Sequence, residues 1–101
     1  MNFRKESMRI GDERVARERV IEVHNPSTGE RIGSVPKATV ADVQRAFAIA
    51  QAYRPRLSRH QRYEILQRAA DLVVARSEEI SDLITAESGL CKKDSRHEAG
   101  R

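Results

Sequence analysis

The residue with the clearest potential for chemistry is Cys91, the single cysteine of the chain. Positive charge on Lys92 and Lys93 would favour a thiolate at this position. A nucleophilic cysteine also needs a base, and the sequence places no histidine or glutamate to serve Cys91 in that role. We therefore expect Cys91 to be a structural or incidental thiol rather than a catalytic one.

Three glutamates have the side-chain type needed for acid–base work, namely Glu78, Glu79 and Glu87. The first two follow a predicted helix start, where acidic groups stabilise the helix dipole without taking part in any reaction. Glu87 lies beside a predicted helix end, on a polar face. We expect all three to have structural roles.

Neither a metal site nor a nucleotide site is predicted. Zinc sites use paired Cys and His ligands, whereas this chain has one cysteine and three scattered histidines, at positions 24, 60 and 97. We expect each histidine to lie on the surface or to pack as an ordinary side chain. The glycines are isolated, and no GxGxxG or GxxxxGK[ST] motif follows a strand.

The elements that must position any such site are built from few apolar residues. The 101-residue chain is 39% hydrophobic, 4% aromatic and 34% charged, against about 25% charged residues in an average globular protein. This low apolar content predicts that the chain is a segment whose hydrophobic core is completed by packing against another structural element. The sequence contains neither a membrane-length apolar run nor a secretory signal. With one cysteine, it fits a reducing, cytoplasmic setting.

The net charge of +4 comes mainly from arginine, and its signs are interleaved along the chain. The densest basic patch is residues 54–62. It could be a nucleic-acid loop, but a solvated connection between helices is favoured, because only Tyr53 and Tyr63 could stack on bases. A small basic module that binds nucleic acid or an acidic partner is the alternative interpretation, with nucleic acid the less favoured ligand.

The first third of the chain predicts strands and turns. Residues 7–15 predict a short hairpin around Gly11 and Asp12. Residues 20–24 predict a strand, since they are rich in β-branched side chains. Residues 31–36 predict a second strand, which returns after the turn. The turn formers between them, residues 25–30, include Gly29, which is free to adopt a positive φ.

The remainder predicts three helices and the opening of a fourth. Thr39 with Asp42 resembles a capping box, and the helix that it begins ends before Pro55. Ser58 with Gln61 predicts a second helix that continues to Arg76. Its predicted buried face consists of Ile65, Leu66, Ala69, Leu72 and Val73. A third helix begins at Ser77 and ends at Gly89 as a left-handed cap, and residues 92–101 begin another.

The order of these pieces resembles the amino-terminal segment of the aldehyde dehydrogenase superfamily. The resemblance covers Val20 to Arg101. It is specific because the Asn-Pro-Ser-Thr-Gly-Glu turn and the Glu-Ser-Gly helix end occur together. The residues that carry it are 25–30, 32–36, 38–43, 62–72 and 84–89. Residues 87–95, with Glu98, Gly100 and Arg101, are similar to phosphonoacetaldehyde dehydrogenases, where most relatives carry a Gly-Lys-Pro-like sequence instead.

The resemblance implies oxidation of an aldehyde to an acid with NAD or NADP. In family enzymes a cysteine attacks the aldehyde, and the thiohemiacetal gives hydride to the nicotinamide. A glutamate-activated water then releases the acid, while an asparagine side chain and a backbone N–H stabilise the oxyanion. None of these residues, nor the cofactor glycines, has a counterpart in this chain, and Cys91 does not match the catalytic cysteine. The chain alone is expected to be inactive and to bind no cofactor.

One substrate-binding residue is implied, because Arg101 lies on a helix that runs along the mouth of the aldehyde channel in the family. A guanidinium at this position could bind a phosphonate through two parallel hydrogen bonds. The alternative is that Arg101 faces solvent and has no role in binding.

The implied fold class is α/β, or α+β for the piece alone. An N-terminal β-hairpin and three helices would belong to a Rossmann-type cofactor domain. Residues 1–19 are then an extension with a short hairpin, and residues 20–101 the truncated start of the domain. The expected partners are the rest of the fold or further copies of the chain, and no membrane.

Overall fold

The computed structural model describes residues 2–101, so Met1, where the predicted extension begins, lies outside the described residues. Strands precede helices, and the predicted α/β class is confirmed. The elements are β1 Arg4–Lys5, β2 Met8–Ile10, β3 Glu13–Val15, β4 Val20–His24, β5 Arg31–Pro36, α1 Val40–Ala52, α2 Arg59–Ala75, α3 Ser77–Ser88 and α4 Lys92–Gly100. They form two compact units. The first contains residues 2–24 and 29–54, and the second contains residues 25–28 and 55–101.

The first unit is organised around β5, which lies between β1 and β4 in a three-stranded sheet. The predicted pairing of β4 with β5 is confirmed as antiparallel, with Ile21 opposite Val35 and Val23 opposite Gly33. In the turn between these strands Gly29 adopts a φ of 73°, which confirms the positive φ predicted for this glycine. Ile32 is buried at 5% exposure and anchors the sheet to the core of this unit.

Strand β1 was not predicted from the sequence. It has only two residues, Arg4 and Lys5, and runs parallel to β5. Charged residues carry no strand signal, so the pairing depends on backbone hydrogen bonds such as that from the Glu6 N–H to the Ser34 carbonyl, at 3.2 Å. The strand can approach because Gly33 has no side chain in its path.

The predicted hairpin in the first unit is confirmed, with β2 paired to β3 across Gly11 and Asp12. Gly11 adopts φ 60°, and a Cβ built on it would lie 3.3 Å from Ile49 of α1. Helix α1 begins at Thr39 with the predicted capping box. Its apolar stripe remains largely exposed, with Val40 at 75%, Val43 at 48% and Phe47 at 72%.

In the second unit, α2 begins with the capping box predicted at Ser58 and Gln61 and ends at Ala75, one residue before the predicted Arg76, which separates it from α3. The predicted burial of its apolar face is wrong for this chain, because none of the 17 residues of α2 is buried. The physical reason is that α3 and α4 pack against each other, and within this unit no described element buries the face of α2.

The contact between α3 and α4 is closed by small hydroxyl side chains. Ser81 and Ser95 are both fully buried. Ser95 Oγ lies 2.7 Å from Thr85 Oγ1, and the Ser81 hydroxyl donates to the Glu78 carbonyl at 2.9 Å. Residues this small let the two helix backbones approach closely. The sequence predicted only the opening of α4, because its nine residues carry almost no apolar pattern.

Helix α3 ends at Gly89, which adopts the predicted left-handed conformation at φ 78°. A Cβ at this position would lie 3.1 Å from Pro26 Cγ and 3.6 Å from Ser27 Oγ. The turn at residues 25–28 is itself held by Asn25, whose side chain accepts from the Ser27 N–H at 2.9 Å and the Thr28 N–H at 3.3 Å. The turn and the helix end are therefore fitted to each other.

Replacing Gly89 with alanine is expected to lower the free energy of unfolding by about 1–2 kcal/mol, the usual cost of a left-handed residue with a Cβ. Gly29→Ala is the matched control, since it has φ 73° but nothing within 4 Å of a new Cβ. Urea titration should show a larger loss for Gly89→Ala than for Gly29→Ala. Equal losses would mean that the Pro26 contact contributes nothing.

Candidate functional site

Cys91 lies exposed immediately before α4 and makes no side-chain capping bond to that helix. The ammonium of Lys92 donates to Ser81 Oγ at 2.6 Å and forms an ion pair with Asp82. It also lies 3.5 Å from a carboxylate oxygen of Glu78. The Lys92 charge is thus part of the contact between α3 and α4, so the structure gives it a packing role rather than a role at the thiol.

The candidate acid–base residues Glu78 and Glu79 are both held in ion pairs. Arg96 of α4 donates to both carboxylate oxygens of Glu78, at 2.8 and 3.2 Å. This hydrogen bonding lowers the pKa of Glu78, and the same pair raises the pKa of Arg96. Arg76 donates to both oxygens of Glu79, at 2.9 and 2.8 Å. Glu87 is exposed near the end of α3. The Glu78–Arg96 pair joins α3 to α4, and carboxylates held in ion pairs, as Glu78 and Glu79 are, make poor proton carriers.

The histidines are exposed and separate from these groups. His24 Nε2 lies 3.8 Å from Glu22, and His60 Nε2 lies 2.7 Å from Glu64 one turn along α2. His97 lies in the last turn of α4. Among residues 2–101, no group of three or more His, Cys, Asp or Glu side chains is placed to hold a metal ion.

The basic patch at residues 54–62 forms the connection between α1 and α2 and the first turn of α2, as the favoured interpretation predicted. The Arg54 guanidinium donates to the carbonyls of Gln51 and Tyr53, at 3.1 and 3.0 Å. Arg54 therefore binds backbone near the end of α1. The arrangement does not favour the alternative of a nucleic-acid module.

The described residues do not provide a cradle for a dinucleotide pyrophosphate. Such a cradle needs glycines between a strand and the start of a helix. The glycines with positive φ are Gly11 in a hairpin, Gly29 in a turn between strands, and Gly89 at the end of a helix. No step of a nicotinamide reaction can be assigned to these residues.

Arg101, the predicted substrate-binding residue, lies directly after α4 and is 67% exposed. Its Nη1 lies 3.2 and 3.3 Å from the two carboxylate oxygens of Glu98. It lines an open groove of about 610 Å³ in the second unit, whose wall on α2 is apolar and whose charged lining residues are Glu78, Arg96 and Arg101. The lining residues are Ala70, Val73, Val74, Ser77, Glu78, Arg96, Ala99, Gly100 and Arg101.

This groove was not predicted from the sequence. Glu78 and Arg96 are 18 residues apart, and nothing local indicates that they pair. The only available signal was the opposite charge of the two residues on neighbouring predicted helices. The groove brings Arg101 together with Glu78, one of the predicted acidic residues, but Cys91 and Glu79 are not among its lining residues.

No helix among the described residues is both long enough and apolar enough to cross a membrane.

Comparison with known proteins gives a consistent result. The model of the aldehyde dehydrogenase family matches residues 13–101. The chain is 37% identical over 82 residues to a 3-sulfolactaldehyde dehydrogenase of Priestia megaterium, covering 80% of this chain and 17% of that protein. It is 41% identical over 73 residues to a betaine aldehyde dehydrogenase of Rhizobium etli, covering 69% of this chain and 15% of that protein.

Similarity to solved structures extends over almost all of the chain. It superposes on the crystal structure of an NAD-dependent aldehyde dehydrogenase from Sinorhizobium meliloti with a TM-score of 0.87 and 30% identity. The match covers 96% of this chain and 21% of that structure. The chain thus spans about a fifth of the length of the proteins that it matches.

Proposed function

Because this chain belongs to the aldehyde dehydrogenase family, we propose that it is the amino-terminal segment of an enzyme that oxidises an aldehyde to an acid with NAD or NADP. In this proposal residues 20–101 form the first part of the enzyme's fold, and the residues before them form an extension of which residues 13–19 already match the family model. We also propose a cytoplasmic location, because this segment has a single cysteine, which suits a reducing compartment.

The observation that carries this proposal is the contact between the two motifs on which the resemblance depends. The turn at residues 25–28 and the helix end at Gly89 are more than 60 residues apart in sequence, yet Pro26 lies against Gly89. A side chain at Gly89 would push on the proline ring, so the two motifs constrain each other physically. The joint presence of the two motifs therefore supports membership of the aldehyde dehydrogenase family through their packing as well as through sequence similarity.

We propose that the substrate is an aldehyde with an anionic tail, of which phosphonoacetaldehyde is an example. The names of the relatives do not decide this, since one denotes a sulfonated aldehyde and the other a cationic one. The argument comes from Arg101, which lines the groove and whose Nη1 contacts both carboxylate oxygens of Glu98. A phosphonate could exchange with that carboxylate and accept two parallel hydrogen bonds.

Replacing Arg101 with alanine in the full-length enzyme is expected to raise KM for phosphonoacetaldehyde by about ten- to a hundredfold, the equivalent of a lost charged hydrogen bond. KM for an uncharged aldehyde of similar length should change little. Arg101→Lys is the control, because it keeps the charge and removes the fork. Steady-state kinetics with both aldehydes would contradict the role if the two KM values rose equally.

The 101-residue chain alone is expected to show no dehydrogenase activity, because the catalytic and cofactor motifs of the family have no counterpart in it. The measurement is NAD(P)H absorbance with purified chain, each cofactor and a panel of aldehydes. Reduction of either cofactor above the protein-free rate would contradict this assignment.

A further inference from the structure

Helix α4, which leads to Arg101, is attached to α3 by polar contacts. The buried residue of α4 is Ser95, whose hydroxyl lies 2.7 Å from Thr85 Oγ1. Lys92 and Arg96, two basic residues one turn apart on α4, make the other contacts with α3. Since the buried side chain of α4 is a serine, the position of this helix depends on polar contacts rather than on apolar packing.

Glu78 of α3 contacts both of these basic residues. Arg96 donates to its two carboxylate oxygens at 2.8 and 3.2 Å, and the Lys92 ammonium lies 3.5 Å from one of them. A two-point contact between a guanidinium and a carboxylate fixes orientation as well as distance. We propose that Glu78 is a positioning residue, which holds α4 against α3 and thereby holds Arg101 at the groove. This inference rests on the proposed function, in which Arg101 binds the anionic tail of the aldehyde.

The backbone of Arg101 follows the position of α4. Its N–H donates to the carbonyls of His97 and Glu98, both at 3.2 Å, so this residue is tied to the last turn of the helix. Arg96 lies about one and a half turns earlier and lines the same groove. A rotation of α4 away from Glu78 would therefore displace the Arg101 guanidinium.

Glu78 also lines the groove, so its own charge acts on a bound anion. By charge alone, removing this carboxylate would favour an anionic aldehyde, because like charges repel. Loss of positioning has the opposite effect, because a displaced Arg101 no longer makes two parallel hydrogen bonds to the tail. The sign of the change in KM therefore distinguishes the two roles.

The test is steady-state kinetics of the full-length enzyme carrying Glu78→Gln, with phosphonoacetaldehyde and with an uncharged aldehyde of similar length. Glutamine keeps the size of the side chain but offers Arg96 a single acceptor oxygen. KM for phosphonoacetaldehyde should rise by about two- to fivefold, the factor that corresponds to an exposed ion pair. The kcat for both aldehydes and KM for the uncharged one should change little.

Glu79→Gln is the matched control, because it removes the same charge from the adjacent residue. Glu79 binds Arg76 and is not among the lining residues of the groove. Both KM values should stay close to those of the wild type in this variant.

A double variant separates positioning from any direct effect of Glu78. In an enzyme that already carries Arg101→Ala, adding Glu78→Gln should cause no further rise in KM for phosphonoacetaldehyde, because the positioned group is gone.

Four results would overturn the proposal. They are a KM for phosphonoacetaldehyde that stays constant or falls in Glu78→Gln, an equal rise for the two aldehydes, a rise of the same size in Glu79→Gln, and a rise that persists in the Arg101→Ala background. A full-length enzyme that oxidises neither aldehyde would contradict the proposed function and this inference with it. An active enzyme that gives any of the four results would contradict the inference alone.

Discussion

Replacing Gly33 with alanine is expected to detach β1 from the sheet and to lower the free energy of unfolding by about 1–3 kcal/mol, the usual range for overpacking a closed site. A Cβ at Gly33 would lie 2.6 Å from the carbonyl oxygen of Arg4. That distance is far inside van der Waals contact. The obstacle is backbone, which cannot rotate away as a flexible side chain can.

The two strands have no easy way to separate slightly and keep their pairing. Gly33 lies in the central strand β5, with Val23 of β4 opposite it on one side and Arg4 of β1 on the other. The hydrogen bond from the Glu6 N–H to the Ser34 carbonyl requires β1 to stay close. We expect β1, which has only two residues, to be the element that leaves.

Urea unfolding with hydrogen exchange at the Glu6 amide measures both effects. Gly100→Ala is the matched control, because nothing lies within 4 Å of a Cβ there. As the last residue of a helix, Gly100 should accept alanine without loss of stability. An unchanged midpoint and a protected Glu6 amide in Gly33→Ala would show that the sheet can absorb the methyl group.

The second large effect is expected at Asp42, at the start of α1. Its carboxylate forms two hydrogen bonds with the guanidinium of Arg17, accepts the Thr39 N–H at 2.9 Å, and is buried at 5% exposure. Bonding to Arg17 is the main cause that lowers the pKa of Asp42 from 3.8 to about 2, with the Thr39 N–H second. A depressed carboxyl pKa contributes stability above the unfolded value and loses it as pH falls through the folded value.

The expected result is therefore a loss of stability between about pH 4 and pH 2 that depends on this carboxylate. Asp42→Asn should be less stable at neutral pH and show a shallower decline in that window. Arg17→Ala should likewise make the decline shallower, because the pKa of Asp42 returns towards its unfolded value and its protonation then no longer distinguishes the folded from the unfolded state. Arg14→Ala removes the same charge from an exposed strand and should leave the acid profile unchanged.

Urea midpoints across the acid range give the comparison directly. Parallel profiles for wild type and Asp42→Asn would contradict the account of this cluster. So would an effect of Arg14→Ala as large as that of Arg17→Ala.

Local signals predicted much of the fold. Thr39 with Asp42 and Ser58 with Gln61 are capping boxes that act within four residues, so spacing alone located both helix starts. Gly89 ends α3 because glycine tolerates the left-handed conformation, which is also a local property. The turn at Gly11 and Asp12 follows from the same kind of chemistry.

The features that sequence reasoning missed depend on contacts between distant residues. Arg17 reaches Asp42 across 25 positions, and Glu78 reaches Arg96 across 18. Nothing in the local pattern at either partner indicates the other. The apolar face of α2 is the opposite case, since its apolar spacing was identified correctly but none of the residues of α2 is buried.

The central claim is that these residues are the amino-terminal segment of a larger aldehyde dehydrogenase. The most direct measurement is an immunoblot of extracts from the source cells, with an antibody raised against the 101-residue chain. We predict a band several times larger than 11.5 kDa, in keeping with relatives of which this chain spans about a fifth. A single band at 11.5 kDa would contradict the claim and show that the cell makes this segment alone.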